Sequence, residues 1–172
     1  MSNQNENNVN NENDNEQSAS GMAAYQALGE FLETDGWHPQ PIADNFVYRS
    51  MFIGDNGEVT CFAQVRPDLE QFIFYVVMPM RVPAEIRVPM AEFLTRANYG
   101  LRIGNFEMDF EDGEVRYKSS VDFEGIPLSP LLIRNTMYPA VQTMDRYLPG
   151  ILKVIYGGSS PESAINTIEE QE

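Results

Sequence analysis

Phe106-Glu-Met-Asp-Phe-Glu-Asp-Gly-Glu-Val-Arg-Tyr-Lys-Ser-Ser-Val-Asp-Phe123 alternates with period two on both sides of Asp112-Gly113. An Asp-Gly pair between alternating runs favours a two-residue type I′ hairpin turn, whose twist matches that of the flanking strands. Such a turn sets Glu111 opposite Glu114, Phe110 opposite Val115, Asp109 opposite Arg116, Met108 opposite Tyr117 and Glu107 opposite Lys118. One face is then apolar, and the other pairs acids with bases. Asn56-Gly57 gives the same signal earlier in the chain. It predicts Phe52 opposite Cys61, Ser50 opposite Ala63 and Tyr48 opposite Val65, with Phe46 and Val59 on the same face.

Working outward, Pro67-Asp68 turns the chain into a third strand, Gln71 to Met78. Its run Phe72-Ile-Phe-Tyr-Val-Val-Met78 is apolar on both faces. A strand of that kind needs cover on both sides, here from helices and from a helix or a second subunit. Helical spacing predicts a first helix over 22–34, with Ala24, Leu28, Phe31 and Leu32 inward and Gly36 as its stop. Trp37-His-Pro-Gln-Pro41 reads as a loop. After the proline-rich connector at 79–89, Ile86, Met90, Phe93, Leu94 and Ala97 mark a second helix that Gly100 ends. Ser129-Pro130 is an N-cap followed by proline in the first helical turn. The long helix it opens carries Met137, Val141, Met144, Leu148, Ile151 and Ile155 at heptad-like spacing. Pro139 is expected to kink that helix and Pro149-Gly150 to break it. Ser160-Pro161 caps a short acidic helix reaching Glu169. The fold class is therefore α+β: helix, three-stranded antiparallel meander, helix, β-hairpin, long C-terminal helix. Five strands are expected, and no internal repeat is visible.

The length suits one domain, placed at residues 21–172. Residues 1–20 differ in kind: eight Asn, four acids, no Lys or Arg, and only Met1, Val9 and Ala19 apolar. Such a segment buries too little to offset its ordering entropy, so a disordered tail is expected. It has neither the basic region nor the apolar run of a secretory signal. The formal net charge is −15. The four tail acids account for −4 of it, leaving −11 on the rest. This balance disfavours nucleic acid and anionic membranes as partners and favours solubility. The lone Cys61 excludes an intramolecular disulfide and a CxxC metal site, which fits a reduced, cytoplasmic setting.

The chemistry-bearing candidates are few. The run Glu107, Asp109, Glu111, Asp112, Glu114 invites a calcium reading. Calcium needs six to eight converging oxygens, whereas carboxylates along strands diverge. Pairing Glu107 and Asp109 with Lys118 and Arg116 leaves Glu111, Asp112 and Glu114 at the tip as the only metal candidates. His38 is the single histidine, so no multi-histidine metal site is possible within one chain. There is no nucleophile elbow. The clusters Gly54-Asp-Asn-Gly57 and Gly157-Gly158 lack the lysine and spacing of a phosphate loop. Cys61 reads as a small buried hydrophobe. No enzyme and no cofactor are expected.

From Leu94 the text Leu-Thr-Arg-Ala-Asn-Tyr-Gly-Leu-Arg-Ile-Gly-Asn-Phe-Glu-Met-Asp-Phe-Glu-Asp-Gly-Glu-Val-Arg-Tyr117 resembles the YbjN family of bacterial proteins. So do Asp145-Arg-Tyr-Leu-Pro149 and Gly158-Ser-Ser-Pro-Glu-Ser-Ala-Ile165. The resemblance spans roughly residues 22–165 and leaves the Asn-rich tail unexplained. It implies a protomer like the type III secretion chaperones in fold, commonly dimeric, with a curved antiparallel sheet and no catalytic motif. Family members are labelled sensory-transduction regulators. The expectation is thus a non-enzymatic protein-binding module, a chaperone-like or regulatory adaptor acting as a homodimer on a protein or peptide client. Phe72, Phe74, Val76 and Met78 on the third strand, with Met137, Val141 and Met144 on the last helix, are its expected contact residues. The alternative is a calcium- or small-ligand-binding regulator using Glu111, Asp112 and Glu114.

Overall fold

The computed structural model describes the backbone of residues 3–43 and 45–170, and the side chains of 19–43 and 45–170. In chain order the elements are α1 (Asn3–Thr34), β1 (Gln40–Ile42), β2 (Val47–Ile53), β3 (Glu58–Arg66) and β4 (Gln71–Arg81). Then follow α2 (Arg87–Gly100), β5 (Asn105–Met108), β6 (Glu114–Asp122), α3 (Pro130–Tyr156) and α4 (Pro161–Glu169). The strands form one antiparallel sheet in the order β1-β2-β3-β4-β6-β5. The expected α+β order is present, with one addition. Gln40-Pro-Ile42, expected within or beside a loop, pairs with Arg49, Tyr48 and Val47 as a short edge strand. A proline fits there because an edge strand has one side that makes no ladder bonds. The disorder expected of residues 1–20 concerns positions that, up to residue 18, lie outside the fully described residues.

In both hairpins the loop has four residues instead of two, and each cross-strand partner is shifted by two from the two-residue reading. In the first, Phe52 lies opposite Val59 and Ser50 opposite Cys61, so Gly54–Gly57 is a four-residue loop. In the second, Glu107 lies opposite Arg116 and Met108 opposite Val115, and the Asp109 amide donates to the Glu114 carbonyl at 2.9 Å. The loop is therefore Phe110–Gly113, and Phe110 is exposed instead of facing Val115. Side chains alternate with period two, so a two-residue slip changes partners and keeps every face.

Groups outside each loop account for the difference. The Asp145 carboxylate on α3 accepts from the Asp55 amide (3.1 Å), the Asn56 amide (2.9 Å) and the Asn56 side-chain nitrogen (3.4 Å). The Arg87 guanidinium on α2 donates to the carbonyls of Phe110 (2.8 Å) and Glu111 (3.2 Å). An acid thus holds the amides of one loop, and a base holds the carbonyls of the other. Gly113 closes the second loop at φ +78, where a Cβ would stand 2.2 Å from the Val82 carbonyl oxygen. Only glycine fits that position.

All four helices pack on one side of the sheet. Ala24, Leu28 and Leu32 of α1, Met90, Phe93, Leu94 and Ala97 of α2, and the expected stripe of α3 are buried against the inward side chains of β3, β4 and β6. Trp37, at the end of α1, stacks on Phe52 and meets Phe74 and Tyr138 edge-on. Its indole nitrogen donates to Asp35, as does the Tyr138 hydroxyl.

Helix α3 runs through both prolines without a break. Each proline removes one backbone bond, at about 3 kcal/mol in a helix interior. Burying Met137, Val141, Met144, Leu148, Ile151 and Ile155 at roughly 1.5–3 kcal/mol each outweighs that. Gly150 serves close packing instead of chain termination. A Cβ there would lie 2.4 Å from Ile168 of α4 and 2.9 Å from Phe93 of α2.

Candidate functional site

The sheet has a second face, and no described element covers it. Cross-strand register lays its side chains out in rows. Arg49, Phe62, Tyr75 and Lys118 form one row. Met51, Thr60, Val77, Arg116 and Glu107 form the next, and Val47, Gln64, Ile73 and Ser120 the one before. Phe62, Ile73, Tyr75 and Val77 make a half-buried apolar centre, extended along β2 by Met51 and by Ile53, which is 77% exposed.

Ion pairs flank this centre. Glu107 accepts from Arg116 at 2.9 Å and also from Lys118. Burial alone would raise the Glu107 pKa, but hydrogen bonds from Lys118 and Arg116 outweigh it and hold the carboxyl below its ordinary value. The Arg116 guanidinium lies over the Tyr75 ring, 4.5 Å from its centroid. Arg81 binds Glu114 at 2.5 Å and Asp112 at 3.4 Å.

The sheet edges, by contrast, are closed to strand addition. β1 is three residues long and contains Pro41. On β5 the Phe106 amide donates to the Asn98 side-chain oxygen at 2.7 Å, and the Asn98 side-chain nitrogen donates to the Phe106 carbonyl at 3.1 Å. Asn98 therefore imitates a neighbouring strand for one residue and stops the sheet there.

The expected contact residues are placed elsewhere. Phe72, Phe74, Val76, Met78, Met137, Val141 and Met144 are all 0–2% exposed, inside the core beneath the helices. They hold the fold together and present nothing to a partner. The apolar surface that is open lies on the opposite face of the same strand, at Ile73, Tyr75 and Val77. Reading β4 as apolar on both sides located the strand without saying which side the helices take. The parity of Cys61, Ala63 and Val65 was the available signal: once those positions face inward, Phe62 must face out.

At the acidic tip, Glu111 is exposed, whereas Asp112 and Glu114 share Arg81. The Asp112 carboxylate also accepts from the Glu114 amide at 2.8 Å. No group of three or more His, Cys, Asp or Glu among the described residues could hold a metal ion. Cys61 is 1% exposed, and burial pushes its thiol up to about 12. The Gly54–Gly57 cluster is the loop that Asp145 holds, and Gly157-Gly158 links α3 to α4. An open cleft of about 480 Å³ lies between that loop, α3 and α4. Its lining mixes Arg146 and Lys153 with Asp55 and Asp145, which selects no single ligand chemistry.

Sequence and structure comparisons bear on these features. A family model described as "Putative bacterial sensory transduction regulator" matches residues 25–153. The crystal structure of YbjN, a putative transcription regulator from E. coli, superposes with a TM-score of 0.54 at 10% identity, covering 70% of this chain and 84% of that one. That likeness shows a shared fold. A chain of the ExsC–ExsE complex superposes with a TM-score of 0.46 at 12% identity, covering 73% of this chain and 90% of its own length. No curated protein matches by sequence. No helix among the described residues is long and apolar enough to cross a membrane.

Proposed function

Because the chain belongs to the YbjN family, we propose that it is a non-enzymatic protein-binding module, a chaperone-like or regulatory adaptor that acts as a homodimer in the cytoplasm. The observation behind this reading is the sheet covered on one side only. Its outer face runs from an apolar centre to an ion-paired flank, an arrangement suited to a protein surface. A small molecule would need an enclosed pocket with converging polar groups.

The residues of the family-like stretches support the reading in a second way. Asn98 closes a sheet edge, Asp145 holds a hairpin loop, and Ser160 caps α4 by accepting from the Ser163 amide at 3.2 Å. Each has a role in the architecture: even Asp145, whose carboxylate borders the cleft beside α3, is taken up by the loop amides. In this proposal residues 21–172 act as one domain with residues 1–20 as a tail.

Light scattering on the purified chain across the micromolar range tests the dimer. A monomeric mass at every concentration would remove that part of the reading.

A further inference from the structure

We infer that the outer sheet face is the surface through which two copies of this chain meet. The dimer is then a stack of two sheets with the helices outermost. This inference rests on the dimer reading above and adds where the contact lies.

Charge is the first argument. The chain carries −15, so two copies repel wherever their surfaces are acidic. The outer face carries Arg49, Arg66, Arg81, Arg116 and Lys118 against Glu58, Glu107, Asp109, Glu114 and Asp122. Five cations and five acids balance, which leaves the whole −15 for the rest of the chain. Five of the eleven Lys and Arg residues of the chain are gathered here. This face is where two copies can approach without setting acid against acid.

The second argument is the low desolvation penalty. Burying a charge is costly unless it is already partnered. Glu107 is held by Arg116 and Lys118, Glu114 by Arg81, and Asp122 accepts from Gln71 at 3.3 Å. Glu107 and Glu114 enter an interface with their ion pairs already made, and Asp122 with a side-chain hydrogen bond. The groups at the centre are Phe62, Tyr75, Met51 and Arg116, and aromatic residues, Met and Arg are the types enriched in interface cores.

Area is the third. Strands about 4.8 Å apart, with seven residues rising about 3.3 Å each, make β2, β3, β4 and β6 a plate of roughly 450 Å² in projection. The accessible surface of a corrugated face exceeds its projection, and β1 and β5 add to it. The total approaches the roughly 800 Å² per partner of a standard interface. The closed edges direct association to the face.

The sign of the salt effect follows. Added salt screens repulsion between two −15 copies and leaves apolar contact intact, so the dimer tightens as salt rises. Association with a basic partner would weaken instead.

Sedimentation equilibrium over a salt series tests this with the full chain, Phe62→Glu, Ile53→Asp and the control Leu131→Glu. Leu131 is an exposed apolar residue on α3, away from the sheet. Ile53 is so exposed that its substitution leaves folding intact, which circular dichroism verifies. The expected result is a wild-type and control dimer that tightens with salt, and about tenfold or greater weakening in both face variants. Face variants that dimerise like wild type would overturn the inference while leaving the dimer reading standing. A wild-type dimer that loosens with salt would overturn the charge argument. A wild-type monomer throughout would remove the dimer reading itself.

Discussion

The Asp145 carboxylate accepts a hydrogen bond from the Asn56 backbone amide at 2.9 Å, across 89 residues of chain. That contact ties the β2–β3 loop to the middle of α3 and fixes how the first hairpin turns.

Removing it in Asp145→Ala is expected to cost about 1–2 kcal/mol, since charge-assisted bonds are lost but the freed amides can reach water. Gly54→Ala should destabilise through the same contact, because a Cβ there would stand 2.2 Å from the Asp145 oxygen. The double variant is expected to be less destabilised than the sum of the two singles. Urea denaturation of the three variants measures this coupling, and strict additivity would disprove the shared cause.

Asn98→Ala should expose the backbone of Phe106. The expected signature is faster hydrogen exchange at the Phe106 amide, with about 1–2 kcal/mol of lost stability. Asn98→Asp keeps the acceptor but sets a carboxylate against the Phe106 carbonyl, so it should be no better than alanine. Exchange at Phe106 unchanged from wild type would show that the edge is protected by something else.

Gly150→Ala overfills the junction of α2, α3 and α4, with an expected cost of about 1–3 kcal/mol. The nearer obstacle is the terminal methyl of Ile168. Ile168→Val removes that methyl, so it should recover part of the loss in the Gly150→Ala background while destabilising the wild type. Thermal melts of the four proteins decide it.

Glu107 should contribute a pH-dependent share of stability. Its pKa in the folded chain lies below the ordinary 4.5. A depressed carboxyl stabilises the fold above its unfolded pKa, and the contribution disappears as pH falls through the folded value. Wild type should therefore exceed Glu107→Gln in stability near neutral pH, and the gap should close as the solution is acidified below 4.5. A gap that stays constant down to the acid limit would assign the effect to packing.

Much of the architecture was legible because periodicity reports faces. The inward sets Val59, Cys61, Ala63, Val65 and Met137, Val141, Met144, Leu148 are where alternation and heptad spacing put them. The Ser129 and Ser160 caps were equally plain, since a serine followed by proline has few other uses at a helix start. The loops were misread because Asn-Gly and Asp-Gly are local signals, whereas Asp145 and Arg87 act on them from distant helices. The surface was misread for a related reason. Hydrophobicity on both faces of β4 cannot say which one the helices occupy, and only the completed topology does.

The double hold on β6 also has a bearing on how this chain can be lengthened. The strand is paired to β4 on its far side and buries Val115 and Tyr117 in the core, so its facing does not depend on the length of Phe110–Gly113. A residue inserted there is taken up by the loop at the expense of the grip of Arg87. Loop grafts into this scaffold should therefore be tolerated at odd and even lengths alike.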